Sequence, residues 1–304
     1  MIKIQENKVS IIILTWNKLR CTKLCLNSLY KNTKYPNWEL IIVDNNSSDG
    51  TQIYLNHFQK NHINCKTIFN SKNEGFARGN NQAITKAHGH YILFLNNDIF
   101  ITPNWLNHLM ICMLSKSNVG IVGAKLIYPQ NKKIQHAGVV FSPSGKPFHI
   151  YRNQNPSKKC VNVQKTYNAV TAACMLVKRT LLDELKGFDE NFKLGSYEDI
   201  DLCLRARLKN YLILFCPQCK VYHYEYSTSR QFKSFNRLAK KNFEIFMQKW
   251  SKLLKHFNDP ALSFYLKFKY RVIEAIEKII PSFFLQKLQT VFFYSKLSKY
   301  LITY

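Results

Sequence analysis

The run Tyr91-Ile92-Leu93-Phe94-Leu95, which stops abruptly at Asn96-Asn97-Asp98, constrains the fold more than any other stretch of the chain. Five consecutive large apolar residues, with β-branched and aromatic members, read as a strand buried on both faces, and such strands belong to the interior of parallel sheets. Ligands in these sheets are met just past the carboxyl ends of the strands, so Asp98 stands where a metal or a phosphate would be bound. The alternative is that Asn97-Asp98 only turns the chain ahead of a helix opened by Thr102-Pro103.

Three similar units precede this strand. Val9 to Leu14 is apolar and ends in Thr15-Trp16-Asn17, before a helix from about Leu19 to Tyr30. Glu39 to Val43 ends in Asp44, and the turn formers and caps of Asn45 to Thr51 lead into a helix through Phe58. A short strand at Thr67 to Phe69 passes through Asn73 to Asn81 into a helix ending near Ala87. The order β-α-β-α-β-α-β predicts an α/β fold with a doubly wound, mostly parallel sheet. Three polar turns then gather at one edge. Asp44 offers an acceptor to ribose hydroxyls or a base imide, while Arg78 and helix N-terminal amides offer donors to a diphosphate; Asp44 equally suits a turn or cap. Neither G-x-G-x-x-G nor G-x-x-x-x-G-K-[ST] is present, which excludes both familiar phosphate loops. A divalent cation held by Asp98 would neutralise the phosphates in their place.

Beyond Asp98 the pattern changes. A helix from Pro103 to about Leu114 is followed by strand-like Val119 to Tyr128 and Ile134 to Phe141, then by a loop with Pro143, Gly145 and Pro147. The small residues opening Asn168 to Val177 permit either close approach of a substrate or close packing. Ser196 to Asp201 opens a helix on which Ile200, Cys203, Leu204 and Leu208 are expected to share the buried face, with Arg205, Arg207 and Lys209 outside it. Glu198 and Asp199 lie in its first turn, where they complement the helix dipole or serve as a general base. Beyond the strand Leu212 to Phe215, a second short strand at Val221 to Glu225 presents His223, either structural or a ligand completing a metal shell begun by Asp98.

Lys and Arg outnumber Asp and Glu by 44 to 18, a net +26, which favours anionic partners: nucleic acid, nucleotide phosphates or an acidic membrane face. No helix-turn-helix, zinc-finger or RNP signature accompanies the charge, so nucleic acid is not the expected partner. The polar start Met1 to Lys8 has no signal-peptide character, and no apolar run approaches the roughly 20 residues of a membrane span, so a cytosolic protein is expected. Nine cysteines, an odd number, fit free thiols, and Cys216-Pro-Gln-Cys219 has the spacing of half a zinc site without a second matching pair. From Thr228 onward 15 Lys or Arg face 4 Asp or Glu, a net +11, interleaved with aromatic and aliphatic residues, and Pro281 divides two helical stretches. Such a tail either lies on an anionic membrane surface, the favoured reading, or packs on the main domain with its basic face in solvent.

Taken together, Thr15-Trp16-Asn17, Val43 to Thr51, Asn73 to Asn81, Asn96-Asn97-Asp98, His136-Ala137-Gly138 and Glu198 to Arg205 occur in the order of a known family. From about Val9 to Ser229 the chain resembles glycosyltransferases of family 2, of the GT-A fold class, in particular bacterial members that build cell-surface polysaccharides, including rhamnosyltransferases. The resemblance implies a GT-A domain over residues 1–228, with a nucleotide-binding half at 1–98 and an acceptor and catalytic half at 99–228, followed by a basic aromatic helical tail at 229–304. It implies that Thr15, Asn17, Asp44 and Asn97 help to hold the nucleotide, with Asn73 and Arg78 near the ribose or diphosphate. Asp98 becomes the last residue of a D-x-D metal motif for Mn2+ or Mg2+, His223 a further ligand, and Asp199 the catalytic base beside Glu198. Asn96 departs from the motif's first Asp; a neutral amide supplies no charged ligand, so the cation would rest on the diphosphate, Asp98 and His223. The implied activity is inverting transfer from a nucleotide-sugar donor, with rhamnose suggested by His136-Ala137-Gly138, to a glycan or lipid-linked glycan at the inner face of the cell membrane. A basic nucleic-acid-binding protein and a catalytically silent nucleotide-sugar binder are the competing readings.

Overall fold

Alternating side chains of the central strands bury into two separate cores, and this makes the molecule three-layered. The computed structural model describes residues 7–142, 144–225 and 235–254. Four parallel strands, β1 (Val9–Thr15), β2 (Trp38–Asp44), β3 (Cys65–Phe69) and β4 (Tyr91–Asn96), alternate with helices α1 (Leu19–Asn32), α2 (Thr51–Lys60) and α3 (Gly75–Lys86). Ile11 and Ile13 of β1 point to one face with Leu26 and Leu29 of α1, whereas Ile12 points to the other with Ala83 and Ile84 of α3. Each such fully buried side chain contributes about 1.5–3 kcal/mol.

The sheet continues with β5 (Ile99–Ile101), helix α4 (Trp105–Met113), β6 (Val119–Ile127), β7 (Ile134–His136), β8 (Val139–Phe141), β9 (Pro147–His149), β10 (Lys165–Thr166), β11 (Cys174–Lys178), helices α5 (Arg179–Leu185) and α6 (Glu198–Leu208), and β12 (Leu212–His223). The main strand order is β10-β12-β6-β11-β4-β1-β2-β3, with β5 on β12 and β7 on β6, while β8 and β9 form a separate hairpin. Parallel register aligns Thr15 with Asp44 and Leu14 with Asn96, so the polar strand ends meet at one edge as their sequence pattern predicts. β11 runs antiparallel to β4 and starts beside the end of β4, where Asn96 N donates to Ala173 O at 2.9 Å. β5 pairs His223 with Ile99, and this brings the last residue of β12 next to Asp98.

Three details differ from the sequence expectation. Leu212 to His223 is one strand, not two; a register shift between Cys216 and Lys220 absorbs the Cys-Pro-Gln-Cys segment. Ile134 to Phe141 is broken at Ala137-Gly138, where Gly138 takes a φ of 123° against the Tyr167 ring. On α6, Leu202, Cys203 and Ala206 face the sheet core, Leu204 faces a different cluster, and Leu208 is 55% exposed. The reason is a second neighbour: α7 (Phe235–Leu254) packs on the far side of α6, so α6 is buried along two faces and no single stripe describes it.

On α7 the residues Phe243, Phe246, Met247, Trp250 and Leu254 recur at helical spacing and meet Phe141, Phe192 and Leu204, leaving Lys240, Lys241, Glu244, Gln248 and Lys252 exposed. The first part of the basic tail is thus a helix docked on the domain. The expected helical break at Pro281 lies outside the described residues. All nine cysteines are free. Among the described residues no helix is long and apolar enough to cross a membrane.

Candidate active site

A cavity of about 310 Å³ opens over the carboxyl edge of the sheet, between the ends of β1 and β4, the start of β11, the first turn of α6 and the end of β12. It is lined by four carboxylates, Asp98, Glu198, Asp199 and Glu225, and by His223. This acidic pocket sits in a chain of net charge +26.

Thr15, Asn73, Asn97, Asp98, Glu198, Asp199 and His223, all singled out from sequence, line this cavity; Asn17, Asp44 and Arg78 do not. Asp44 is fully buried beneath the wall, accepting from Ser47 N at 2.9 Å, Ser47 Oγ at 2.5 Å and Gln52 Nε2 at 2.8 Å. It holds its own turn. Asn17 Oδ1 accepts from Ser48 N at 2.8 Å and Asn17 N donates to Ser47 Oγ at 2.6 Å, which ties the loop after β1 to the loop after β2. Arg78 lies on α3 beside Glu74, Nε to Oε2 3.5 Å, with its side chain 56% exposed. Asn97 Nδ2 donates to the hydroxyls of Thr15 and Thr22, both at 3.0 Å, and so anchors the turn after β4 to α1. Asn73 Oδ1 accepts from Gly75 N at 2.9 Å and Asn45 Nδ2 at 3.1 Å. Asn45 is a lining residue that its position in a turn-rich run left indistinguishable from a cap.

Within the cavity His223 Nε2 lies 3.0 Å from Asp98 Oδ1. His223 Nδ1 is 2.7 Å from Gln135 Oε1, so Nδ1–H donates there and the ring turns its Nε2 edge toward the carboxylate; Asn96 Nδ2 is 3.4 Å from Nε2. An imidazole nitrogen and a carboxylate oxygen this close share either a proton or a cation. Adjacent ligands of an octahedral cation at about 2.1 Å would themselves be about 3 Å apart. These two residues therefore fit a divalent metal as a partial shell. Among the described residues no group of three or more His, Cys, Asp or Glu is placed to hold a metal alone. The remaining ligands would have to come from substrate phosphates and water, the usual arrangement for Mg2+ with nucleotides.

Glu198 and Asp199 line the same cavity. Asp199 Oδ2 accepts from Ala172 N at 3.0 Å and Oδ1 from Ile200 N at 2.8 Å. Burial raises its pKa against these hydrogen bonds. Glu198 is 5% exposed, and its Oε2 has no hydrogen-bond partner among the described residues. Burial, followed by the charge of Asp199, pushes its pKa up to about 8. Leu194, Gly195 and Ser196 also line the cavity, and from Leu194 to Tyr197 the chain ahead of α6 takes four successive positive φ angles of 61°, 130°, 100° and 74°. His136 lies away from the cavity, fully buried with Nδ1 2.7 Å from His149 Nδ1, and burial holds its pKa well below the usual histidine value.

The sequence model of Glycosyl transferase family 2 matches residues 10–185. The chain belongs to this family. Among curated relatives, the uncharacterised protein y4gI of Sinorhizobium fredii is 31% identical over 83% of this chain and 28% of its own length. The O-antigen biosynthesis protein RfbC of Myxococcus xanthus is 32% identical over 73% of this chain and 18% of its own length. The UDP-Glc:alpha-D-GlcNAc-diphosphoundecaprenol beta-1,3-glucosyltransferase WfgD of Escherichia coli is 32% identical over 43% of this chain and 56% of its own length. The chain thus spans well under two thirds of each of these proteins. A crystal structure of GalNAc-T7 with UDP, GalNAc and Mn2+ superposes with a TM-score of 0.67 at 16% identity, covering 82% of this chain and 50% of the other. The fold of this family 2 member is accordingly GT-A.

Proposed function

We propose that this chain transfers a sugar from a nucleoside-diphosphate donor to a hydroxyl of a glycan or lipid-linked glycan during surface-polysaccharide synthesis. The observation that carries this reading is one cavity lined together by Asp98, His223, Glu198 and Asp199. The named roles of RfbC, in O-antigen biosynthesis, and of WfgD, with its diphosphoundecaprenol substrate, support the polysaccharide context and the lipid-linked acceptor.

The chemistry follows from these four side chains. Transfer needs no nucleophile from the protein: the acceptor oxygen attacks the anomeric carbon directly, its proton passes to the Asp199 carboxylate, and the C–O bond to the diphosphate breaks with its electron pair leaving on the phosphate. A single displacement of this kind inverts the anomeric centre. Asp199 is held by its contacts with the Ala172 and Ile200 amides, so its carboxylate does not need to reorganise as the proton arrives. Burial and the neighbouring Asp199 favour the acid form of Glu198, while the Ala172 and Ile200 amides favour the carboxylate of Asp199. Asp98 and His223 would hold Mn2+ or Mg2+, which when bound supplies charge to neutralise the departing diphosphate. The GalNAc-T7 complex contains Mn2+ together with UDP, which supports this choice of cation.

Release of nucleoside diphosphate from a panel of UDP-, GDP- and dTDP-sugars, dTDP-rhamnose included, tests the proposal with membrane extract as acceptor. Turnover of one donor, abolished by a chelator, by Asp98→Ala and by Asp199→Asn, is the expected result. Turnover that survives both substitutions would overturn the roles given to Asp98 and Asp199, and no turnover of any donor would overturn transfer itself.

A further inference from the structure

The helix that begins the basic tail reaches into the candidate site through one buried amide. Asn242 on α7 is 1% exposed, and its side-chain hydrogen bonds go to the loop ahead of α6. Its Oδ1 accepts from Lys193 N at 3.2 Å, while Nδ2 faces the carbonyls of Lys193 at 2.9 Å, Gly195 at 3.1 Å and Ser196 at 3.4 Å. That loop is the segment with four successive positive φ angles, three of them at residues other than glycine. Backbone of this kind persists only where its surroundings over-determine it. On the opposite side the loop meets Gly75, where an added Cβ would stand 3.0 Å from Leu194 N.

A second contact from the same helix reaches the first turn of α6. Asp201 is fully buried and accepts from Trp250 Nε1 at 2.9 Å and Lys249 Nζ at 2.6 Å. Glu198 and Asp199 lie between these two points of attachment. An apolar side chain of similar size at position 242 would pack beside Phe243 and Phe246 equally well, so packing does not account for an amide there; the loop carbonyls do.

We propose that Asn242 is a positioning residue for sugar transfer: it fixes the Leu194 to Tyr197 segment and, through it, the first turn of α6 that presents Asp199 to the acceptor hydroxyl. This rests on Asp199 being the base. It makes α7 a working part of the active site, separate from any part the rest of the tail plays.

The full chain carrying Asn242→Leu, which keeps side-chain volume and removes the four contacts, is compared with wild type and with Gln248→Ala on the exposed face of α7. Hydrogen–deuterium exchange and steady-state kinetics are read in parallel. In Asn242→Leu the amides of residues 193–201 exchange at least tenfold faster while those of β1 and β2 do not change; kcat falls at least tenfold with the donor KM within twofold. Gln248→Ala matches wild type throughout. Asn242→Ala, which removes the same four contacts without adding apolar volume, shows the same split and serves if Asn242→Leu does not fold. Unchanged exchange at 193–201 overturns the proposal, as does faster exchange with an unchanged kcat, or a donor KM that rises in step with the fall in kcat. A wild type inert toward every donor removes the transferase reading on its own, and exchange at 193–201 still decides whether Asn242 sets the loop.

Discussion

Replacing Glu198 by Gln should stabilise the protein, and by an amount that grows with pH. Glu198 is 5% exposed, its Oε2 lacks a partner among the described residues, and burial together with Asp199 moves its pKa from 4.5 to about 8. The folded state therefore holds the acid form, and the stability this confers is fully present below the unfolded pKa and is lost as pH rises toward the folded one. At about 1.4 kcal/mol per pKa step, the loss is about 1 kcal/mol at pH 5, about 3 at pH 7, and about 5 once pH passes 8. Gln occupies the same volume and does not titrate. Urea unfolding of wild type and Glu198→Gln at pH 5, 6, 7 and 8 gives the comparison. The variant should gain about 2 kcal/mol on wild type between pH 5 and pH 7, whatever constant offset its amide introduces. Titrating groups other than Asp199, whose charge is coupled to Glu198, cancel in the difference. Two stability curves that stay parallel over this range would refute the reasoning, because they would mean that Glu198 ionises in the native state as readily as in the unfolded chain.

Gln135→Leu removes the acceptor for His223 Nδ1; loss of such an orienting contact costs about 10- to 100-fold in metal affinity, measurable by Mn2+ titration with nucleoside diphosphate present. Affinity within twofold of wild type would exclude His223 as a ligand oriented by Gln135. Asp201→Ala leaves Arg205, Lys249 and Trp250 without their shared acceptor. A loss of about 2 kcal/mol is expected in urea unfolding, the size of a charge-assisted hydrogen bond, since Lys249 keeps Asp189 and Arg205 keeps the Leu185 and Gly187 carbonyls, and a loss below about 1 kcal/mol would show that α7 does not depend on this contact.

Much of the fold was legible because buried parallel strands are contiguous apolar runs that stop where the sheet stops: β1, β2 and β4 each end in polar residues, and parallel register then aligns those ends without further information. In the sequence the meeting of Asp98 with His223 was one of two readings of a lone histidine, which the family resemblance then favoured. It is made by β5, three residues long and too short to carry a periodicity, pairing with the end of β12. Asp44 shows the converse difficulty. An acid at a strand end suits a nucleoside and suits a turn equally, and what separates the two readings is whether Ser47 and Gln52 fold back onto it.

The tail shows where sequence pattern stops and packing begins. The spacing of Phe243, Phe246, Met247 and Trp250 marks an apolar helical stripe, and such a stripe beside many basic residues fits a membrane surface as well as a protein one. Which of the two covers it depends on Phe141, Phe192 and Leu204, three residues on separate elements whose convergence no local pattern records. Once they are in place the stripe of α7 is occupied, and its exposed Lys240, Lys241 and Lys252 remain on the outer face. The positive charge of this helix is therefore free to meet an anionic surface while its apolar side holds α6. Charge and packing, which in sequence compete as explanations of the same segment, act on opposite faces of one helix, and a membrane contact through the lysines would leave the Asn242 and Asp201 attachments undisturbed.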